Sequence, residues 1–275
     1  MTEDLAPPPF HLHAGTAPLL ISLPHVGTHV PAHIAARFTA EARQVPDTDW
    51  HLERLYAFAR GLGASLLVAT HSRYVVDLNR PPDGSSLYPG QSVTGLCPLD
   101  TFDDTPIYTD AAQAPAAEEV AERRGRYWDP YHAQLRAELE RIRAAHGVAM
   151  LWDAHSIRSV LPRFFHGRLP DFNLGTADGA SCDPWLAREL LAIGMVAPGY
   201  SAVLNGRFKG GYITRHYGEP ARNVHAVQLE MTQASYMQEA LPFDYLPEAA
   251  VGVLPHLRRM LEAVLAFAQE RAASA

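Results

Sequence analysis

Apolar residues along this chain follow two patterns: short unbroken runs, and longer stretches in which they recur at helical spacing. The runs Pro18-Leu-Leu-Ile-Ser-Leu-Pro24, Ser65-Leu-Leu-Val-Ala-Thr70, Tyr74-Val-Val-Asp-Leu-Asn79, Val148-Ala-Met-Leu-Trp-Asp-Ala-His-Ser156, Tyr212-Ile-Thr-Arg-His-Tyr217 and Val224-His-Ala-Val-Gln-Leu-Glu230 predict strands. Helices are expected from Asp47 to the glycines Gly61 and Gly63, from Ala116 to about Ala145 with an interruption at Asp129-Pro130, from Asp183-Pro184 to about Ile193, and from about Leu246 to Ala272. Strands alternating with helices in this way predict a three-layer αβα sandwich around a mixed central sheet. No internal repeat and no flexible linker divides the chain, so residues 1–275 are expected to be a single domain, with 1–16 a loosely ordered N-terminal segment.

The strand candidates end on polar groups. Val148–Ser156 stops on Asp153, His155 and Ser156, the Pro18 run leads to His25, and the Val224 run ends at Glu230. Asp49 falls in the first turn of an expected helix, while Arg80 and Arg215 lie on or beside strand segments. Each residue also has an ordinary use: Asp153 as a turn cap, Asp49 as an acid suited to a helix N-terminus, His155 as a structural histidine. Their shared placement at element ends, where α/β sheets gather ligands, is the argument for one site. From about Arg80 to Ala114 the chain is rich in Pro, Gly, Ser, Thr and Asp, a loop long enough to be expected as a pocket wall. His11, His13, His33, His71 and His146 have no partner pattern and are read as surface residues.

Composition narrows the function. With 47% hydrophobic and 19% charged residues in 275, the chain can bury a large core. A net charge of -7 without a Lys/Arg-rich block argues against a nucleic-acid partner. The acidic, proline-rich start does not read as a signal peptide, no apolar run is long enough to span a membrane, and Cys97 and Cys182 are too few for a disulfide framework; a cytoplasmic enzyme is expected. Fourteen histidines hint at metal or acid–base chemistry.

Six ordered blocks then point to a family: Ser22-Leu-Pro-His-Val-Gly27, Asp47-Thr-Asp-Trp-His51, Ser72-Arg-Tyr-Val-Val-Asp-Leu-Asn-Arg-Pro81, Trp152-Asp-Ala-His-Ser156, Lys209-Gly-Gly-Tyr-Ile-Thr-Arg-His-Tyr-Gly218 and Val227-Gln-Leu-Glu-Met231. Together, over about residues 18–240, they resemble the N-formylglutamate amidohydrolases, the deformylases of histidine degradation, which are similar in fold to zinc carboxypeptidases and aspartoacylase. The resemblance implies one zinc ion, or another divalent metal, held by His25, Asp49 and His155 with an open position for water. Asp47 and Asp153 remain open as the carboxylate ligand, and Asp153 equally as the partner that fixes a histidine tautomer. Glu230 would then be general base and acid. A dicarboxylate substrate calls for guanidinium groups: Asn79-Arg80 resembles the pair with which carboxypeptidases hold a terminal carboxylate, and Arg215 and Arg73 are candidates for the second carboxylate or the developing oxyanion. Deacylation of another short N-acyl or N-formyl amino acid, and non-catalytic binding of acidic metabolites, are the alternatives.

Overall fold

The computed structural model describes residues 6–86 and 94–273. Their strands are β1 (Phe10–His13), β2 (Leu19–Leu23), β3 (Ser65–Ala69), β4 (Ala149–Ile157), β5 (Phe172–Gly175), β6 (Ala202–Leu204) and β7 (Val224–Thr232), joined in one sheet in the order β1-β3-β2-β4-β7-β5-β6. β3, β2, β4 and β7 run parallel; β1 is an antiparallel edge on β3, and β5 runs against β7 with β6 parallel to it. The α-helices are α1 (Ala32–Ala35), α2 (Leu52–Leu55), α3 (Ala117–Arg123), α4 (Asp129–His146), α5 (Pro184–Met195), α6 (Tyr212–Tyr217) and α7 (Pro247–Ala273). Among the described residues, no helix is long and apolar enough to cross a membrane.

Side chains alternate across a strand, so each of these buried strands feeds two cores. Leu19, Ile21 and Leu23 of β2, Met150, Trp152 and Ala154 of β4, and Val227, Leu229 and Met231 of β7 pack with α2, α5 and α7. Leu20, Ala149, Leu151 and Ala226 face the other way, against Tyr131, Leu135 and Ile142 of α4 and Ile213 of α6. Three layers result. Trp152 is fully buried and its Nε1 donates to Tyr56 Oη at 3.0 Å, so truncating it to Ala would cost about 3–5 kcal/mol.

Several expected elements take another form. Tyr74–Asn79 is a run of turns rather than a strand: Val75 N bonds Ser72 O, Asp77 N bonds Leu96 O, and the Asp77 carboxylate accepts from Asn79 N, diverting the backbone from any ladder. Tyr212–Tyr217 is helical. Its buried Ile213 and Tyr217 lie four apart, on one helical face, and glycines stand at both ends. The helix expected from Asp47 shrinks to α2 followed by a 3₁₀ stretch over Tyr56–Leu62, leaving Asp47–Trp50 as a turn. The interruption expected at Asp129-Pro130 is instead a π-helical turn over Arg124–Trp128, with Pro130 tolerated at the start of α4. β5 and β6 were not anticipated, being short and enclosed by glycine- and aspartate-punctuated loop. Of the N-terminal segment expected to be loose, residues 1–5 lie outside the described residues and Phe10–His13 forms β1. Residues 87–93 of the expected pocket wall also lie outside the described residues.

Candidate active site

The two central strands change character halfway along one face. Toward α4 and α6, β4 presents Ala149 and Leu151 and then Asp153 and His155, while β7 presents Ala226 and then Gln228 and Glu230. The opposite face stays apolar to Ala154 on β4 and Met231 on β7. Register pairs Asp153 with Gln228 and His155 with Glu230, and pairs Ser22 with Asp153, so the polar halves form one patch. His25 follows β2 with only Pro24 between them. Gly27 lets this segment pass backbone to backbone along Thr70–His71: a Cβ at Gly27 would lie 2.4 Å from His71 O, and His29 N donates to Thr70 O.

Asp49 arrives on a turn docked to the same segment, its amide donating to His25 O at 3.0 Å. Val45 and His51, at either end of that turn, hold left-handed backbone (φ 43° and 63°), a conformation that costs a non-glycine residue roughly 1–2 kcal/mol. Strain of this kind persists only where surrounding contacts over-determine it. Here Thr48 N and Oγ1 both donate to Val45 O, and the His51 ring bonds Phe243 O at 2.7 Å.

The three candidate ligands converge. Asp49 Oδ2 lies 3.1 Å from His155 Nδ1 and 3.8 Å from His25 Nδ1, and one donor atom from each residue falls within 4.8 Å of the others. Two bonds of 2.0–2.1 Å at a tetrahedral angle put donor atoms roughly 3.3–3.4 Å apart, so the two measured separations straddle what zinc requires. Each imidazole is held from behind: His25 Nε2 bonds Asp77 Oδ1 at 2.7 Å, and His155 Nε2 lies 3.1 Å from Asp153 Oδ2. A carboxylate on one ring nitrogen, with the other aimed at a common point, is the arrangement that fixes histidine ligands. Two neutral imidazoles and one carboxylate, all buried, fit a divalent cation.

The electrostatics agree. Burial disfavours a charged His155, yet Asp153 and Asp49 on either side raise its pKa well above the usual value. A proton is therefore drawn to the place where the geometry would put a metal. Burial and the nearby Arg73 lower His25, keeping it neutral as a ligand must be. Burial also works to raise Asp77, but Arg73, Arg80 and His25 outweigh it and hold this carboxylate well below its usual range. Glu230, buried and close to Asp49 and Asp153, is pushed up to about 8 against the opposing pull of His155.

These groups open into a cleft. Arg73, Asn79, Arg80 and Glu230 line it, together with Phe102, Phe164, Arg207, Phe208 and Gln228. Arg73 is buried, bonds Asp77 Oδ2 at 2.6 Å and sits over the Phe102 ring. Arg80 is braced by Thr94 O and Oγ1 and by Asn79 O. Asn79 is committed to the scaffold: its Nδ2 lies 2.9 Å from His155 Nε2 and 3.3 Å from Asp153 Oδ2, and its Oδ1 accepts from Ile213 N at the start of α6. Gly211 makes room for it, since a Cβ there would fall 2.4 Å from the Asn79 amide. Arg215 does not line the cleft; its Nε donates to Gly210 O at 2.8 Å, on a helix rather than the expected strand. Asp47 is occupied by Tyr74 Oη and Phe102 N, away from the ligand triad.

Sequence reading missed Asp77, Arg207 and the active part played by Gln228, which accepts from Gly211 N and donates to Glu230 Oε2 at 3.2 Å. Asp77 was hidden inside an expected strand, although its place three residues before Arg80 in a block shared with the family was a usable signal. Arg207 stands in a loop with no periodicity, and nothing in the chain marked it.

Residues 17–237 match the sequence profile of the N-formylglutamate amidohydrolases. An N-formylglutamate deformylase of Pseudomonas putida is 52% identical over 94% of this chain and 96% of its own, and one of Pseudomonas aeruginosa is 54% identical with the same coverage. The crystal structure of an N-formylglutamate amidohydrolase from Ralstonia eutropha superposes with a TM-score of 0.76 at 27% identity, over 97% of both chains. The Atu2144 product of Agrobacterium tumefaciens shares the fold, with a TM-score of 0.69 at 16% identity over 95% of this chain and 96% of that one. Profile, relatives and fold agree over most of the chain, which belongs to the N-formylglutamate amidohydrolase family.

Proposed function

We propose that this chain hydrolyses N-formyl-L-glutamate to formate and L-glutamate, using a divalent metal held by His25, Asp49 and His155. One observation carries the reading: two carboxylate-backed imidazoles aim Nδ1 at Asp49 beside the buried Glu230, in a chain about half identical to proteins named N-formylglutamate deformylase. The donor set favours zinc, which when bound would supply Lewis acidity, lowering the pKa of a water toward about 7 and polarising the formyl oxygen.

The protein's own residues do the rest. Glu230 takes a proton from the attacking water and delivers it to the amide nitrogen as the formyl C–N bond breaks, so that the amine leaves neutral. Burial suits it to both halves of that exchange, because a carboxylate away from water holds a proton more readily. Arg80 binds the α-carboxylate, and Arg73 keeps a fixed positive charge in the same wall. Asn79 is assigned to holding His155 and α6 in place rather than to the substrate. A role in histidine degradation is proposed on the family resemblance.

The test is formate release by the purified chain from N-formyl-L-glutamate and from neutral N-formyl amino acids, after chelation and after zinc is restored. Zinc-dependent turnover that favours the glutamate compound is expected; turnover untouched by chelation would overturn the metal assignment. Glu230→Gln is expected to lower kcat by about 10²–10⁴ with zinc content unchanged. Near-normal turnover in that variant would remove Glu230 from the reaction.

A further inference from the structure

We infer that Arg207 reads the side-chain carboxylate of the substrate and so sets selectivity for an acidic N-formyl amino acid; this rests on the deformylase reading above. A substrate with two carboxylates needs two cationic poles. Arg73 and Arg80 come from the segment after β3, on one flank of β4 and β7 in the sheet. Arg207 comes from the loop after β6, on the other flank. β5 and β6 run against β7, so this loop is laid alongside β7 at Gln228 instead of beyond the strand's end. The reacting groups His155 and Glu230, on β4 and β7, therefore stand between the two poles.

The loop is built to hold its arginine still. Asn205 bonds Leu174 O through its amide, and Thr176 N and Oγ1 through its side chain. Ala177 N donates to Lys209 O, and Gly211 N donates to Gln228 Oε1. Gly175, at the end of β5, lets the loop pack onto the strand: a Cβ there would lie 2.5 Å from Gly210 N. Arg207 Nε donates to Phe164 O at 2.7 Å, and its Cζ lies over the Phe164 and Phe208 rings, 5.8 and 5.2 Å from their centroids. A planar cation held this way at the wall of a partly apolar cleft is suited to end-on bidentate binding of a carboxylate. Other basic residues nearby are placed differently: Arg163, over the same Phe164 ring, pairs with Asp104, Lys209 pairs with Asp178, and Arg215 is turned to Gly210 O, all three outside the cleft lining.

The experiment compares kcat/KM for N-formyl-L-glutamate and N-formyl-L-glutamine, an isostere with an uncharged side chain, using the zinc-loaded full chain and its Arg207→Gln, Arg207→Lys and Arg80→Gln variants. In Arg207→Gln the glutamate-to-glutamine ratio is expected to fall by about 30-fold or more, mainly through KM, since one charge-assisted pair to the substrate is lost. Arg207→Lys should recover part of that ratio by restoring the charge without the fork. Arg80→Gln should depress both substrates alike, because both carry the α-carboxylate. A wild-type preference for the glutamate compound that persists in Arg207→Gln overturns the assignment and leaves the deformylase reading standing, as does a ratio that collapses in Arg80→Gln instead. If the wild type hydrolyses neither compound, the deformylase reading fails and this inference falls with it.

Discussion

Asp49 meets both candidate ligand histidines through a single carboxylate oxygen, an arrangement that neither of the other two acids the sequence left open shares. Asp47 spends Oδ2 on Tyr74 and Phe102, and Asp153 lies behind His155 against the far ring nitrogen. The two should therefore behave differently on substitution. Asp153→Asn is expected to weaken zinc affinity by about 10–100-fold, the usual effect of losing the partner that orients a ligand histidine. Asp47→Asn should leave zinc stoichiometry and affinity within a few-fold of wild type, and a titration with a competing chelator measures both. His25 and His155 were legible because each follows a strongly apolar run and strands deliver what stands at their ends. Asp77 was not, because its carboxylate does two things that no pattern encodes: it replaces a backbone ladder partner, and it holds a histidine and an arginine together.

At the scale of elements, long periodic segments were readable and short ones were not. α7, β4 and β7 match expectation closely because many residues repeat the same signal. α6 failed because six residues rich in β-branched and aromatic side chains look like a strand until the enclosing glycines and the packing of Ile213 and Tyr217 are known. α4 carries a further consequence. His132 is buried there, bonded to Leu78 O and Tyr217 Oη and stacked on Trp128, and burial pushes its pKa down to about 3. The unfolded chain takes up a proton near 6.5, so the folded state binds fewer protons between those values. Stability from this residue is whole above pH 6.5 and is lost as pH falls toward 3, at up to about 1.4 kcal/mol per pH unit. His225, and His71, which is buried rather than at the surface as expected, are both lowered to about 4 by burial and add in the same direction. Urea midpoints from pH 7 to 4.5 should fall less steeply in His132→Gln than in wild type; parallel slopes would show that folding does not change the proton binding of His132.

The whole molecule assembles its site from segments far apart in sequence, since His25, Asp49 and His155 meet only when β2, β4 and the strained turn are all in place. An unfolded chain offers no such triad, so metal should bind the native state alone. At a free zinc concentration about a thousand times the dissociation constant, linkage adds about 4 kcal/mol, a rise in Tm on the order of 8 °C for a chain this long. A melting curve with and without chelator reads the difference, and identical curves would argue that the triad holds no ion. The three-layer architecture was legible because alternation of runs and periodic stretches constrains it strongly. The position of β5 and β6 against β7 was not, because pairing direction in short strands is set by distant loops.

The half-apolar, half-polar face of β4 has a meaning for heredity as well as for chemistry. Along residues 152–155 neighbouring codons answer to different selection: changes at Trp152 and Ala154 should act through the amount of protein, whereas changes at Asp153 and His155, although also buried, should remove turnover even from the protein that still accumulates. Saturation mutagenesis scored once for abundance and once for activity per molecule should therefore separate over these four residues, abundance falling most at Trp152 and Ala154 and activity per molecule at Asp153 and His155. Tracks that rise and fall together would mean that the chemistry and the core are not separable on this strand. If they do separate, a lineage can exchange its reaction at Asp153 and His155 while the opposite face of the strand keeps the scaffold.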